Sequence, residues 1–598
     1  MVLKAVKWLN RKLSNIYYAY GLVAFFALIA YCNSFTVPFL LDDFGSITNN
    51  YAIQKFFDIA ALWKFYANRI VLYFNFSINY LIHDNGVEGY HITNLLIHIL
   101  NGILFYLILK RLFSLPYFKG KLLVRYSNVI SVFAAILFVV HPIQVNAVTY
   151  IVQRTASLAS TFYLLAILCF LNYRMRDKWL QLLLTFIFTV IAMFTKENTI
   201  TIPFTLLLLE LMFFLKDGKT SPLKRILIFL LLFATIPIIP GTNLLLKGYS
   251  QSDPDVTFKA STSMDRFHYF YTQLNVILLY IRLCFMPLGQ NFDYSNDFPM
   301  SLTIWDNYSY IAFFILVLIG LYSIYAMKRN RLVSLGIMWF FIGLSVESSF
   351  ISIKDVYFEH RLYFPCAGFI IFLIGMIFYE RKGKNKQRYI LRNPIITFVL
   401  LSILLIPLYT GLTLHRNYIY SDSIRLWADT VCKAPDSDRA HNSLATGYLN
   451  DYDEGKKNTE YLDLAELEFK KAIDMNSKNS TAHTNLSKVY LLKEDYQKCI
   501  TQARHALALT DSEYAQYNMG CAYKKLGKTK EALKAFHDGY KFNNRSGFIV
   551  EALGETYHEM SDYKNAKKYY EEYLEINKRF DNKEVEEKLE EVNRMLSK

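Results

Sequence analysis

The sequence lacks several of the motifs by which enzymes are often recognised. Its seven cysteines are scattered, with no C-x-x-C pair and no metal-ligand spacing, so neither a zinc domain nor a disulfide framework is indicated. It has no glycine-rich phosphate loop and no Ser/His/Asp arrangement, which argues against an enzyme that uses ATP or a nucleotide sugar. Charged residues make up only 19% of the chain, and they are very unevenly distributed along it.

Apolar and aromatic residues are abundant instead. Hydrophobic residues make up 53% of the chain and aromatic residues 16%, and both fractions are above the usual values for soluble domains. Residues 1–415 are long apolar runs with short basic interruptions, and the remainder is rich in Lys, Glu, Asp and Asn. This pattern predicts an all-α protein, a polytopic membrane helical bundle followed by a soluble domain. The net charge of +15 lies mostly in the short loops, as the positive-inside rule requires, so no nucleic-acid partner is expected.

Twelve apolar runs are long enough to cross a membrane, and the first, from about Ile16, follows a basic segment and is interpreted as a retained signal-anchor helix. Basic clusters mark the cytoplasmic loops. Arg225 and Lys328 both lie in basic, cytoplasmic loops, so the chain between them crosses the membrane an even number of times. Three apolar runs lie there, so one of them does not cross, and 268–286 is the weakest candidate span because it carries several polar residues. We expect it to be re-entrant or interfacial. About eleven spans remain, with the N-terminus cytoplasmic and the C-terminal domain outside the cytoplasm, in the inner or plasma membrane if the protein is prokaryotic.

This orientation places four polar segments on the outer side, where we expect them to form one site: the large first loop 35–89, His141–Arg154, Thr195–Asn198 and Lys354–Tyr363. The first loop begins with Asp42 and Asp43. Carboxylates at a membrane face are costly unless they have a partner or a task. The pair could supply a general base for an acceptor hydroxyl, or it could be a helix N-cap or a solvated turn.

Other polar residues near this face also allow two interpretations. One face of the second apolar run carries four polar side chains, for which hydrogen bonding between membrane helices is the favoured interpretation: His91, Asn94, His98 and Asn101. Three cationic side chains could clamp the phosphate of an anionic lipid carrier, namely Arg154, Lys196 and Arg361. Alternatively, Lys196 pairs with its neighbour Glu197.

From about residue 421 the sequence takes the period of the tetratricopeptide repeat (TPR), a pair of helices in about 34 residues. Ser487 and Gly520 are 33 residues apart, and Gly554 follows after another 34. The pattern predicts a connecting helix in 416–437, about four repeats in 438–577 and a capping helix in 578–598. The first repeat needs about eight extra residues around Asp451–Asn458. The inner face would bind an extended peptide or pack against the membrane domain, and it carries Tyr514, Tyr517, Lys524, Phe548, Glu551 and His558.

Taken in order, the motifs of the membrane domain resemble a known family. They include L-D-D after the first run, Arg69, G-Y-H-x-x-N-L-L-x-H, H-P-x-x-x-x-A-V-x-x-x-x-x-R, K-E and E-x-R-L-Y-x-P. With the repeat tail, the set is similar to the TMTC-type transmembrane and tetratricopeptide O-mannosyltransferases and their prokaryotic relatives in the GT-C superfamily. The tail has about four repeats, fewer than the eukaryotic members carry.

The resemblance implies a membrane glycosyltransferase that takes sugar from a polyprenyl phosphate and modifies Ser or Thr of extracytoplasmic proteins. It makes Asp42 or Asp43 the catalytic carboxylate. Residues in a supporting role would be Arg69, His91, His98, His141, Glu197, Glu359 and His360. We expect a single displacement with inversion and no tightly bound cofactor, and a divalent metal stays an open alternative. The other hypotheses are a GT-C transferase or ligase with a lipid or polysaccharide acceptor, and a non-catalytic TPR membrane scaffold.

Overall fold

A computed structural model of the chain shows an almost entirely helical protein. It describes residues 2–55, 57–215, 220–245, 265–294, 298–353, 355–382, 387–389, 391, 393–453, 459–577 and 582–597. Contacts between residues divide the chain into two compact units, Met1–Phe292 with Phe298–Leu426, and Asp293–Asp297 with Trp427–Lys598. The all-α class predicted from the sequence is confirmed.

The first unit contains nineteen α-helices and one short hairpin among the residues described, and a twentieth α-helix begins in it and continues into the second unit. The helices are α1 Val2–Lys12, α2 Ile16–Tyr31, α3 Tyr51–Gln54, α4 Ile59–Tyr66, α5 Ile70–His83, α6 Val87–Phe113, α7 Leu122–Arg125, α8 Ser127–Val140, α9 Val145–Val148, α10 Arg154–Arg176, α11 Trp179–Met193, α12 Ile202–Leu209, α13 Pro222–Phe233, α14 Ile238–Leu245, α15 Arg266–Phe285, α16 Ser309–Arg329, α17 Arg331–Leu344, α18 Tyr363–Ile377, α19 Pro394–Tyr420 and α20 Ser423–Lys433. Strands β1 Glu380–Lys382 and β2 Gln387–Tyr389 pair antiparallel, with Arg381 opposite Arg388.

Among these residues, seven helical segments are long and apolar enough to cross a membrane, or nine if two bent helix pairs each form one span. Two shorter apolar helices, Trp179–Met193 and Arg331–Leu344, bring the number of segments to eleven. The chain is therefore a multi-pass membrane protein. α19 continues to Tyr420, five residues past the predicted end of the membrane domain, and α20 lies within the predicted connecting segment.

The helix α15 covers most of the run 268–286, and it is continuous over 20 residues. Its Thr272 Oγ1 accepts a hydrogen bond from the Ser301 N–H at 2.9 Å. Asn275 Nδ2 donates to Ser309 Oγ at 2.9 Å. These contacts place the first half of α15 beside the start of α16, so both helices begin at the same end of the bundle. The chain between them makes no net crossing, which supports the prediction that this run is not one of the spans.

Close packing between α17 and α18 depends on glycine. A Cβ at Gly336 would lie 2.4 Å from the backbone nitrogen of Phe372, and one at Gly375 would lie 2.6 Å from that of Val333. Small residues let membrane helices approach until their backbones touch. Van der Waals packing at such contacts holds the helices together, because the hydrophobic effect between helices is weak in a membrane. These two contacts fix the C-terminal half of α18. Its beginning, which belongs to the candidate site, packs against Gly343, where a Cβ would lie 3.0 Å from Phe364.

The second unit is a stack of helix pairs. The pairs are α21 Asp438–Asp451 with α22 Thr459–Met475, α23 Ser480–Leu492 with α24 Tyr496–Leu509, α25 Glu513–Lys525 with α26 Thr529–Phe542, and α27 Gly547–Glu559 with α28 Tyr563–Ile576, followed by α29 Lys583–Leu596. The repeating small residue lies under an aromatic ring, since a Cβ at Gly520 would come within 2.4 Å of Phe536. Of the predicted extra segment, residues 454–458 lie outside those described.

Candidate functional site

Asp43 joins the first loop to the start of α10. Its Oδ2 accepts the Leu40 N–H at 2.9 Å, and its Oδ1 accepts the Val152 N–H at 2.7 Å. The residue is fully buried, and it precedes the helical turn Phe44–Thr48 without capping it through its side chain. Burial raises the pKa of Asp43 to about 8, against the opposing effect of the two backbone hydrogen bonds. The buried Asp43 side chain therefore links two backbone segments by hydrogen bonds. Because it does not cap the helical turn, the N-cap alternative is wrong for Asp43.

Asp42 has the opposite environment, because it is exposed at the surface of the same loop. Its backbone N–H donates to the Tyr150 hydroxyl at 3.0 Å. Burial, followed by the charges of Asp42 and Asp43, raises the pKa of Tyr150 well above its ordinary value, so the phenol keeps its proton. The Tyr150 ring packs on Phe292 at 5.3 Å between centroids. A buried aromatic group therefore fixes the position of an accessible carboxylate.

Arg154, at the start of α10, is fully buried. Its Nη1 donates to Asn75 Oδ1 at 2.7 Å and also to Asn79 on α5. Its Nη2 donates to the Tyr90 carbonyl at 2.9 Å, and its Nε donates to Asn94 on α6. The guanidinium thus links α5, α6 and α10 by hydrogen bonds, mostly to side-chain amides. Its role at the donor phosphate stays a prediction.

The polar face of α6 makes hydrogen bonds to other elements, as the favoured interpretation predicts. His91 Nε2 donates to the Val37 carbonyl at 2.8 Å, and Asn94 Nδ2 donates to the Val148 carbonyl at 2.9 Å. His98 donates from Nε2 to the Val139 carbonyl at 2.9 Å and accepts the Tyr363 hydroxyl on Nδ1 at 2.7 Å. Asn101 Nδ2 donates to the Ser157 carbonyl at 2.8 Å. Together these residues attach the first loop, α8, α10 and α18 to α6.

Lys196 and Glu197 do not pair with each other, which corrects one alternative. Lys196 Nζ lies 2.7 Å from Glu347 Oε1, and both side chains are buried. Glu197 instead accepts two hydrogen bonds from Arg69, at 3.2 and 3.1 Å, and one from the Tyr66 hydroxyl at 3.3 Å. Although burial opposes ionisation of Glu347, the neighbouring cations outweigh it and hold the pKa of that carboxyl below its ordinary value.

The turn before α18 holds three predicted residues. Glu359 accepts Gln290 Nε2 at 2.8 Å, and His360 Nδ1 lies 3.1 Å from Asn146 Oδ1. Arg361 donates to the Val356 carbonyl at 2.9 Å and to the Asp355 carbonyl at 2.6 Å. His360 is within the electrostatic reach of Lys196, Arg361 and Arg69, so this turn lies among three cations of the site, of which Lys196 and Arg69 are paired with Glu347 and Glu197.

His141 fills the break between α8 and α9. Its Nδ1 accepts the Ile143 N–H at 3.2 Å, which makes Nε2 the protonated nitrogen that donates to the Cys284 carbonyl at 3.1 Å. The ring packs on Tyr409 at 4.6 Å between centroids. His141 therefore anchors the end of α15 and takes no part in the cation cluster.

The hydrogen bonds thus join the four polar segments on one end of the bundle, which we call the site end. Sequence analysis missed several partners there, notably Tyr150, Glu347, and the pair Asn75 and Asn79. The two asparagines are four residues apart on α5, a spacing that puts them on one helical face and could have indicated a shared partner. No group of three or more His, Cys, Asp or Glu side chains able to hold a metal ion occurs in the part of the chain that the structure describes.

In the repeat unit, three of the predicted inner-face residues form an aromatic cluster. Tyr514 stacks on Phe548 at 5.1 Å, and Tyr517 meets the same ring edge-on at 5.0 Å. Tyr514 is 58% exposed. Lys524 pairs with Glu559 at 2.9 Å, and Glu551 lies 3.8 Å from Lys588. His558 packs edge-on against Tyr563. The surface combines an accessible aromatic patch with paired charges.

Comparisons with known proteins find several protein O-mannosyl-transferases among its relatives. A protein O-mannosyl-transferase of Caenorhabditis elegans is 25% identical over 435 residues, which is 70% of this chain and 58% of the relative. Mouse protein O-mannosyl-transferase TMTC4 is 26% identical over 62% of this chain and 57% of its own length. The chain is similar to the TMTC-type protein O-mannosyltransferases. It aligns with little more than half the length of these two TMTC-type relatives, and with 21% of human TMTC3, to which it is 28% identical.

The TPR-type tail is matched independently. A tetratricopeptide repeat family model matches residues 514–543 and 551–580. Among solved structures, MamA is 20% identical over 26% of this chain and 87% of its own, with a TM-score of 0.23. A thermophilic TPR protein of Thermus thermophilus is 16% identical over 31% of this chain and 96% of its own, with a TM-score of 0.25.

Proposed function

We propose that this protein is a membrane glycosyltransferase that moves a sugar from a polyprenyl-phosphate donor to Ser or Thr hydroxyls of proteins. The observation that carries the proposal is the contrast between Asp42 and Asp43. One carboxylate is exposed, and its neighbour is buried and bound to two backbone N–H groups. An accessible carboxylate held by a rigid loop suits a general base. The similarity to TMTC-type O-mannosyltransferases supports the same reaction class.

Asp42 is the base in this mechanism, and Asp43 positions it. Asp42 takes the proton of the acceptor hydroxyl while the hydroxyl oxygen attacks the anomeric carbon. The bond between that carbon and the phosphate oxygen breaks, and the polyprenyl phosphate leaves with the electron pair. A single displacement of this kind inverts the anomeric centre. Since Asp43 keeps its proton at neutral pH, it adds no negative charge beside the base.

The donor would bind where an apolar groove meets the cations of the site end. A cavity of about 390 Å³ lies between α12 and α17, lined by Phe204, Leu208 and Ile342 among others. Two of its lining residues are close in sequence to the buried ion pair: Thr201 is five residues after Lys196, and Val346 is next to Glu347. A polyprenyl chain in this groove would bring its phosphate to the Lys196 region. In this arrangement fixed cations, and not a general acid, stabilise the negative charge of the leaving phosphate.

Arg69 is the more exposed cation of the site end, and Lys196, although buried, is close in sequence to the lining of the apolar groove, so these two are favoured as phosphate ligands. The Arg69 side chain is 23% exposed, although it is paired with Glu197. Arg154 and Arg361 are buried, and each makes several hydrogen bonds within the protein. We therefore propose that Arg154 and Arg361 contribute positive potential to the donor phosphate, while Lys196 and Arg69 contact it.

The acceptor would be held by the repeat unit outside the cytoplasm, with the aromatic cluster around Tyr514 as the docking surface. The test is mass spectrometry of envelope proteins from a strain without the gene, with and without the wild-type gene restored. Hexose on Ser or Thr that depends on the gene supports the proposal. If no protein glycan depends on it while a lipid-linked or polysaccharide product does, the protein acceptor is wrong.

A further inference from the structure

A second cavity, which is polar, lies at the opposite end of the bundle from the candidate site. Its volume is about 730 Å³, within the size range of small-molecule sites. The cavity is bounded by the end of α16, the start of α17 and the end of α18. α18 begins at the site end and has 15 residues, so it separates the two ends by roughly 20 Å. The cavity is therefore distinct from the proposed catalytic site.

The charge of this cavity is mainly positive. Lys121, Lys328 and Arg329 line it together with one acid, Glu380. Lys121 and Glu380 are 3.9 Å apart and so share a weak pair. Lys328 and Arg329 are exposed, and neither has a carboxylate partner among the residues that the structure describes. Two exposed cations thus line a polar cavity without a carboxylate partner in the described part of the chain.

An aromatic ring orients one lining cation, Lys121, and a second cation beside the cavity, Arg331. The Lys121 ammonium and the Arg331 guanidinium each lie 4.3 Å from the centroid of the Tyr117 ring. Contacts of this kind orient a cation over a ring face. Asn330 closes the cavity between α16 and α17, because its Nδ2 donates to the Gly375 carbonyl at 2.7 Å. That hydrogen bond satisfies a carbonyl group near the C-terminal end of α18, and so reduces the partial negative charge that this helix end presents to the cavity.

We propose that this pocket binds the phosphate group of an anionic membrane phospholipid. The positive-inside rule accounts for basic residues at span ends, but it does not account for a polar cavity that three cations line together, with Lys121 oriented on the Tyr117 ring. Basic pockets between membrane helices on the cytoplasmic side are suited to anionic lipid headgroups. The position of the pocket at the ends of three apolar helices favours a lipid over a soluble phosphate ester, because the acyl chains can lie along those helices.

The test is native mass spectrometry of the full-length protein in detergent, titrated with phosphatidylglycerol or phosphatidylcholine. The variant is Lys328→Ala plus Arg329→Ala. The matched control is Arg176→Ala plus Lys178→Ala, which removes two exposed cations at the same end of the bundle but outside the cavity. We expect the wild type to retain phosphatidylglycerol selectively and the variant to bind it roughly thirtyfold more weakly. The control should bind like the wild type.

Equal retention of the two lipids by the wild type would overturn the proposal, and so would equal losses in the variant and the control. A third titration uses sn-glycerol 3-phosphate, which presents the same phosphate ester without acyl chains. Binding of this soluble ester as tight as that of phosphatidylglycerol would overturn the lipid assignment. A weak or absent response to it supports the lipid assignment.

Discussion

Lys196 and Glu347 form a buried ion pair, with 2.7 Å between Nζ and Oε1. It links the turn before α12 to the segment that follows α17. Removing one partner of a buried pair leaves an uncompensated charge, at a cost of about 3 to 5 kcal/mol. We therefore expect Lys196→Gln and Glu347→Gln each to lower the free energy of unfolding by this amount, as measured by denaturant titration in detergent.

The two substitutions also separate a structural role from a donor-binding role. If Lys196 contacts the donor phosphate, Lys196→Gln raises the KM for the donor, whereas Glu347→Gln leaves that KM unchanged or lowers it. The measurement is the steady-state KM for the lipid-linked sugar in variants reconstituted at equal folded concentration. Equal KM changes in the two variants would contradict the phosphate role of Lys196.

Arg154 should be essential to the fold of the membrane unit. Arg154→Lys removes the planar fork, and a single ammonium cannot reach Asn75, Asn79 and Asn94 together, so we expect a loss of at least about 3 kcal/mol. Arg176→Lys is the control, because Arg176 is the exposed last residue of the same helix and should change stability by less than about 0.5 kcal/mol. Thermal unfolding in detergent measures both. A similar melting temperature for the two variants would show that the amide cluster is not stabilising.

The stability of the protein should fall with rising pH through the ionisation of Asp43. The unfolded Asp43 releases its proton near pH 4, whereas burial keeps the proton on the folded residue up to about pH 8. The folded state therefore binds the extra proton between these limits, and stability decreases by about 1.4 kcal/mol per pH unit before levelling off above pH 8. Asp43→Asn should lack this component of the slope. Parallel pH profiles of wild type and variant between pH 5 and 8 would refute the assignment.

Tyr514 should affect acceptor use without affecting folding. It is 58% exposed, as is Phe542 at the end of α26, so neither Tyr514→Ala nor Phe542→Ala should destabilise the repeats appreciably. Loss of one aromatic contact with a bound peptide corresponds to about a fivefold rise in acceptor KM for Tyr514→Ala. The Phe542→Ala control should keep the wild-type KM. Equal acceptor KM values in the two variants would remove the aromatic cluster from the acceptor site.

The sequence predicts best those parts of the protein that local periodicity specifies. The repeat period locates four helix pairs because each small residue, such as Gly520, must fit under a ring from its own repeat. The polar face of α6 is likewise visible in the spacing of His91, Asn94 and His98. These features depend on residues that are close in sequence, so they can be recognised in one sequence without a structure.

Partner choice over long distances could not be predicted in the same way. Lys196 has an extended backbone, with φ −156° and ψ 143°, and adjacent side chains on an extended backbone point in opposite directions. Lys196 and Glu197 therefore reach separate partners, Glu347 and Arg69, which lie more than 100 residues away in the sequence. The buried state of Asp43 was equally hidden, because its hydrogen-bond donors are the backbone N–H groups of Leu40 and Val152, which no sequence motif identifies.

The central claim is that Asp42 is the catalytic base, and the measurement is sugar transfer by Asp42→Asn. Asp84→Asn is the matched control, because Asp84 is an exposed aspartate of the same loop 35–89. Both variants are expressed in the strain without the gene, at equal levels in the membrane, and Ser/Thr-linked hexose on envelope proteins is quantified by mass spectrometry. We expect a loss of at least about a hundredfold for Asp42→Asn and wild-type levels for Asp84→Asn. Restoration of the glycans by Asp42→Asn would contradict the account.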